Sequence, residues 1–193
     1  MAKNLQQRIL DSASELFYSQ GIKATGVEAI VKHAGTNKMT LYKYFPSKEE
    51  LVIAFLRQRD SEFTSWFIER INHKAEHPRG KLLAIFDVID EWMAIPAFRG
   101  CAFINAVAEF PLEASPVHQL SAEFYANFKA YIARLAAECK VAAPDDLAMQ
   151  MTLLVEGAIV SEQIQRHSGA TRHARQAASI LINSSLQAEA FKQ

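Results

Sequence analysis

Ala34-Gly35-Thr36-Asn37-Lys38-Met39-Thr40-Leu41-Tyr42-Lys43-Tyr44-Phe45-Pro46-Ser47-Lys48-Glu49-Glu50-Leu51 carries the decisive local signals of the chain. Upstream of it, Val27, Ile30, Val31 and Ala34 give a short helix an inward face, and Gly35 suits a sharp turn out of that helix. A second short helix is predicted from about Asn37 to Tyr44, because Pro46 stops it. Leu41 and Phe45 face the core. Ser47-Lys48-Glu49-Glu50 reads as a capping box that starts a long helix reaching about His77. Thr25-Gly26-Val27-Glu28 reads as another at the start of the first short helix.

Two short helices joined by a glycine turn and packed on a preceding helix make a helix-turn-helix. Its second helix enters the major groove, and that helix's N-terminal residues meet base edges. Here it presents Asn37, Lys38, Met39 and Lys43 outward, while Thr40, Tyr42, Tyr44 and Lys48 offer hydroxyls and an ammonium to phosphates. Lysine donates to guanine acceptors, and Met39 or a tyrosine ring touches a thymine methyl. Nothing acidic lies between Val31 and Lys48 to repel phosphate. A plain three-helix packing unit with tyrosines capping a core has the same helix pattern.

Charge agrees with a nucleic-acid face. The chain is neutral overall, but residues 1–48 carry seven Lys/Arg against three Asp/Glu, and residues 49–193 carry fourteen against eighteen.

The quoted stretch closely resembles the helix-turn-helix of the tetracycline-repressor (TetR/AcrR) family of bacterial regulators. Ile9-Leu10-Asp11-Ser12-Ala13-Ser14-Glu15-Leu16-Phe17, followed by Gly21, matches the same pattern upstream. The resemblance covers about the first 55 residues. It implies DNA contacts that also include Thr25 and Gly26 at the first short helix and Thr36 in the turn. Gly26 stands where the family often has Ser or Thr, with Thr25 as the substitute hydroxyl. Met39 replaces a commonly small residue. The implied architecture is all-α: residues 1–48 form the DNA-binding domain and residues 49–193 a helical ligand-binding and dimerisation domain.

The body reads as helical on its own terms. The whole chain of 193 residues is half apolar and 22% charged, a globular composition. All six prolines and six of the seven glycines fall between stretches with apolar residues at i, i+3, i+4 and i+7. That spacing gives about nine helices and no strand. Ala158, Ala174, Ala177, Ala178 and Ser185 give the last two long helices small-residue faces, and the resemblance implies that these helices build a homodimer interface. A two-fold dimer matches a palindromic operator in double-stranded DNA.

Aromatic residues concentrate in the body. Phe63, Phe67, Phe86, Trp92, Phe103, Phe124 and Phe128 are candidates for a pocket, with Asn105 and Glu156 as polar groups set in apolar runs and Cys101 beside them. Such a pocket suits a small apolar or aromatic inducer. The same spacing also describes ordinary core. Arg99-Gly100-Cys101-Ala102-Phe103-Ile104-Asn105 resembles a segment found in part of the family at the start of the sixth helix.

The leading expectation is a ligand-responsive repressor, with the long helix from Ser47 linking pocket and DNA head. A second is a thiol sensor gated by Cys101, which follows Gly100 near a helix start. An all-α enzyme is the third, but no Gly-rich phosphate loop, nucleophile elbow or metal triad supports it. His73 and His77 have metal-ligand spacing without a third ligand, so no metal or cofactor is expected. No run is apolar and long enough for a membrane span, the N-terminus lacks a signal-peptide pattern, and two cysteines make no disulfide framework. A cytoplasmic protein is the expectation.

Overall fold

In the computed structural model, residues 4–190 are described, with side chains through Leu186. Among them are nine α-helices and no strand. They are α1 (Leu5–Gln20), α2 (Val27–His33), α3 (Lys38–Tyr44), α4 (Lys48–Lys74), α5 (Pro78–Met93), α6 (Ala102–Glu109), α7 (Pro116–Glu138), α8 (Pro144–Ile164) and α9 (Ala170–Ala190). The all-α expectation holds. No helix among the described residues is long and apolar enough to cross a membrane.

Proline and glycine set the joints as their backbone preferences dictate. Pro78 and Pro144 occupy the first positions of α5 and α8, where a missing N–H costs nothing. Gly21 ends α1 at φ +93°, a conformation that a Cβ disfavours. The Ser47 cap forms as read: its hydroxyl accepts from the Glu50 N–H at 3.0 Å.

Packing divides the chain into two compact units. One comprises Met1–Glu62 with Cys101–Phe124; the other comprises Phe63–Gly100 with Tyr125–Gln193. The first therefore takes α6 and the start of α7 from distant sequence. Its core joins Ile9, Phe17, Ile30, Leu41, Leu51 and Phe55 to Phe103, Ala106 and Val117. Phe17 and Phe55 meet at 5.6 Å between centroids, in a tilted pair.

The second unit is built on α5, α8 and α9, which pack pairwise. Leu82, Ile85, Phe86 and Ile89 of α5 are buried, with Met151, Val155 and Ile159 of α8 and Ile182 of α9. Ala158, Ala174 and Ala178 are buried too. These three lie within the packing of their own chain, where missing side-chain bulk lets helices approach closely.

One turn in this unit is held by charge. Glu162 is buried near the end of α8, and its carboxylate accepts from the backbone N–H of His167 (2.7 Å) and Ser168 (2.9 Å) and from the Ser168 hydroxyl (2.8 Å). Both His167 and Gly169 adopt left-handed φ, near +60° and +68°. Burial works to raise the Glu162 carboxyl, but these donors and Arg166 outweigh it and hold the group below its ordinary value. Its contribution is fully present above the unfolded glutamate pKa of about 4.3 and is lost as pH falls through the lower folded value. Urea unfolding at fixed protein concentration checks this. Glu162→Gln is expected to cost about 1–3 kcal/mol at pH 7, and the gap to wild type should shrink below pH 4. An equal gap at both pH values would show that the carboxylate charge is not what holds the turn.

Candidate nucleic-acid interface

The turn between α2 and α3 is fixed by backbone bonds. Ala34 N–H donates to Ile30 O at 2.8 Å, and Thr36 N–H to Val31 O at 2.9 Å. Gly35 between them sits at φ +62°, and a Cβ there would lie 3.2 Å from Arg8 Nη2. Arg8 reaches across from α1 and donates to Ala34 O at 2.8 Å. Asn37 then caps α3, its side-chain oxygen accepting from Thr40 N–H at 2.9 Å.

Leu41 is fully buried and Phe45 nearly so, which pins one face of α3 to the core. Around the rest of the helix and its cap, Asn37, Lys38, Met39, Tyr42, Lys43 and Tyr44 are all exposed. Met39 is 84% exposed, a level no packing role explains. Thr36 and Thr40 are half-buried. Gly26 caps α2 in extended conformation without a side-chain bond. Eight of the eleven DNA-contact candidates are thus gathered on the turn and α3, and Gly26 stands at the head of α2.

Two candidates are placed otherwise. Thr25 is 1% exposed, and its hydroxyl donates to Gly21 O (2.7 Å) and Leu16 O (3.2 Å). It neither caps α2 nor faces solvent, so the capping-box reading of Thr25 to Glu28 is corrected. Its hydroxyl serves the unpaired carbonyls at the end of α1. Lys48 is also drawn inward. Its ammonium donates to Ile22 O at 2.6 Å and lies 5.9 Å from the Phe17 ring centroid. Burial pushes this ammonium down from its usual value, and Glu109 pushes back. Lys48 ties α4 to the α1–α2 turn.

Sequence reading misses Glu109, which completes that tie. At the end of α6, its carboxylate accepts from Ile22 N–H at 2.9 Å and Lys23 N–H at 2.5 Å. Glu28 is the other surprise: it forms an ion pair with Lys38 at the start of α3.

The ten ligand-pocket candidates fall in both units. Cys101, Phe103, Asn105 and Phe124 belong to the first. Phe103 and Phe124 stack at 3.7 Å with planes 8° apart. Cys101 is half-buried at the N-cap of α6 and forms no disulfide. Phe63, Phe67, Phe86, Trp92, Phe128 and Glu156 belong to the second. There Phe63 contacts Phe67 (5.4 Å) and Trp92 (5.2 Å), and Phe67 contacts Phe128 (5.5 Å). Phe86 is fully buried and fills core. Burial pushes the half-buried Glu156 carboxyl up. An open cleft of about 710 Å³ in the first unit lies among Leu10, Tyr44, Phe45, Ile53 and Arg57, and none of the ten lines it.

Comparison with known proteins agrees with this geometry. Residues 9–55 match bacterial regulatory proteins of the tetR family, and residues 78–178 match the tetracyclin repressor-like C-terminal domain. The chain belongs to the TetR family. It is similar to the HTH-type transcriptional regulator YjdC of Escherichia coli K12, with 25% identity over 161 residues, 83% of this chain and 84% of the relative. It is also similar to QacR of Staphylococcus aureus, with 35% identity over 77 residues, 39% of this chain and 41% of that one. The crystal structure of SCO4454, a TetR-family transcriptional regulator from Streptomyces coelicolor, superposes with a TM-score of 0.88 at 25% identity, covering 94% of this chain and 96% of that one. This TetR protein is therefore a transcriptional regulator with a DNA-binding domain.

The inward turn of Lys48 has a measurable consequence. Lys48→Met is expected to cost about 1–3 kcal/mol of stability while leaving the salt slope of DNA binding unchanged. Lys43→Met is expected to leave stability unchanged and flatten that slope by about 0.9 per protomer. Thermal unfolding and titration of a labelled duplex across a salt series read both. A flattened slope for Lys48→Met would return that lysine to the phosphate contacts.

Proposed function

We propose that this protein is a dimeric, ligand-responsive repressor, released from a palindromic operator by a small, largely apolar or aromatic inducer. On this reading, residues 1–48 form the DNA-binding head, residues 49–193 form the ligand-binding and dimerisation body, and the protein works on cytoplasmic DNA. The observation that carries the DNA part is the exposed row from Asn37 to Tyr44 over the buried Leu41 and Phe45. That row is polar and basic, reaches base edges with Lys38, Met39 and Lys43, and has Tyr42 and Tyr44 for the backbone.

Support for the dimer comes from α8 and α9. Met149, Leu153, Val160 and Ile164 are exposed at helical spacing along α8, with the exposed Gly157 between them, and Ile180 is exposed on α9. Ile164 is 82% and Ile180 70% exposed, too much apolar surface in one stripe for a finished soluble surface. A second copy offers a matching stripe by two-fold symmetry. For the inducer, the aromatic cluster of Phe63, Phe67, Trp92 and Phe128 favours a flat apolar molecule. Such a ligand releases DNA only to the extent that it binds the released pose more tightly than the DNA-bound one.

A second reading places the switch at Cys101, which stands at the N-cap of α6. Cys101→Ser would abolish an oxidant response while leaving release by a ligand intact.

Selection of binding sites from random duplexes, with wild type and Tyr42→Ala in parallel, tests the main reading. A palindromic consensus is expected for wild type and its loss for Tyr42→Ala. In sedimentation, Leu153→Glu is expected to give a monomer that binds the enriched duplex roughly 100-fold or more weakly. A Leu153→Glu protein that stays dimeric would move the interface elsewhere.

A further inference from the structure

From Leu16 to Lys48 the chain carries five lysines and one carboxylate, Glu28. That carboxylate does not stand apart from the recognition surface. Glu28 lies in the first turn of α2, Lys38 opens α3, and the two side chains form an ion pair across the turn. Both are well exposed, at 71% and 53%. In water such a pair adds little stability, so holding the fold together is a poor account of it. Each group nevertheless favours the charged form of the other: Lys38 holds the Glu28 carboxyl below its usual value, and Glu28 holds the Lys38 ammonium above its own.

We propose that Glu28 is a specificity-determining residue that acts through Lys38, cancelling its attraction for any phosphate while leaving it able to donate to a correctly placed base. The proposal rests on the DNA-binding reading of α3. Sequence-independent affinity comes from cations that displace counterions at phosphates, about one unit of charge per contact. A lysine already paired with a carboxylate contributes little to that sum. Its ammonium has three N–H donors, however, so one bond to Glu28 leaves two for a base edge such as the acceptors of guanine. Glu28 thus weakens binding to random DNA more than binding to the operator. The difference between the two affinities is what a regulator needs, because random sites vastly outnumber operators.

The test uses the full-length protein and two duplexes: one enriched by wild type from a random pool, and a scrambled duplex of equal length and composition. Glu28→Gln, Lys38→Gln and the double variant are titrated across a salt series, with circular dichroism checking that each is folded. Glu28→Gln is expected to tighten scrambled-duplex binding roughly threefold or more and to steepen its salt slope by about 0.9 per protomer. Operator affinity should change less, so discrimination falls. In the Lys38→Gln background the same substitution should do neither. Unchanged scrambled-duplex binding in Glu28→Gln overturns the proposal. So does an equal effect with and without Lys38, which would make Glu28 a simple repulsive charge. Loss of operator affinity in both backgrounds overturns it as well, since Glu28 would then read a base itself. If wild type enriches no duplex, the DNA-binding reading fails and the proposal with it, an outcome distinct from the other three.

Discussion

A recognition helix of seven residues cannot hold its own shape. Isolated helices below about twelve residues are marginal in water, because the first turn fixes many dihedrals for one hydrogen bond. Helix α3 exists because Leu41 and Phe45 are driven into the core of the first unit, each burial contributing about 1.5–3 kcal/mol. Everything exposed on α3 depends on that anchorage. Two buried side chains fix the rotation of the helix about its axis, and rotation decides which residues can meet a groove.

The turns flanking α2 are fixed differently. Their backbone groups are claimed by long side chains from other helices. Arg8 takes Ala34 O, Lys48 takes Ile22 O, and Glu109 takes the N–H groups of Ile22 and Lys23. Loop backbone groups need partners, and charged donors and acceptors make the stronger bonds. The consequence is a division of labour among charges that composition cannot reveal. Arg8 and Lys48 are structural ties and Lys38 is paired with Glu28, so three of the seven cations in residues 1–48 are engaged within the protein.

This explains which features were legible beforehand. Helix count, the Gly35 turn, the Ser47 cap and the inward direction of Leu41 and Phe45 follow from periodicity and backbone preference, which are local. The placements of Thr25 and Lys48 are not legible locally, because their partners, Gly21 O and Ile22 O, are set by how α1 meets α2 and α4. A threonine before a helix looks the same whether it caps that helix or the end of the previous one. Glu109 was missed because its partners lie 86 and 87 residues away. Aromatic spacing in the body was equally silent: Phe86 and Phe67 sit on helical stripes, yet the stripe does not say whether the neighbouring space is filled.

In the body, burial separates two sets of residues along α8 and α9. Ala158, Ala174 and Ala178 are buried within their own chain, while Met149, Leu153, Val160 and Ile164 line the outside of α8. Helices α5, α8 and α9 pack together, and the alanines let their axes approach between larger buried side chains such as Met151, Val155 and Ile159. A second apolar row, Met149, Leu153, Val160 and Ile164, is left on the far side of α8. An apolar exterior of that kind is stable only when covered. In the proposed dimer, a second copy covers it with chemistry already present in the chain, and two-fold symmetry makes one stripe sufficient for both partners. On the proposed dimeric reading, the packing that completes the body also duplicates the DNA-binding head, so internal packing and operator symmetry have a common origin in the sorting of residues along α8.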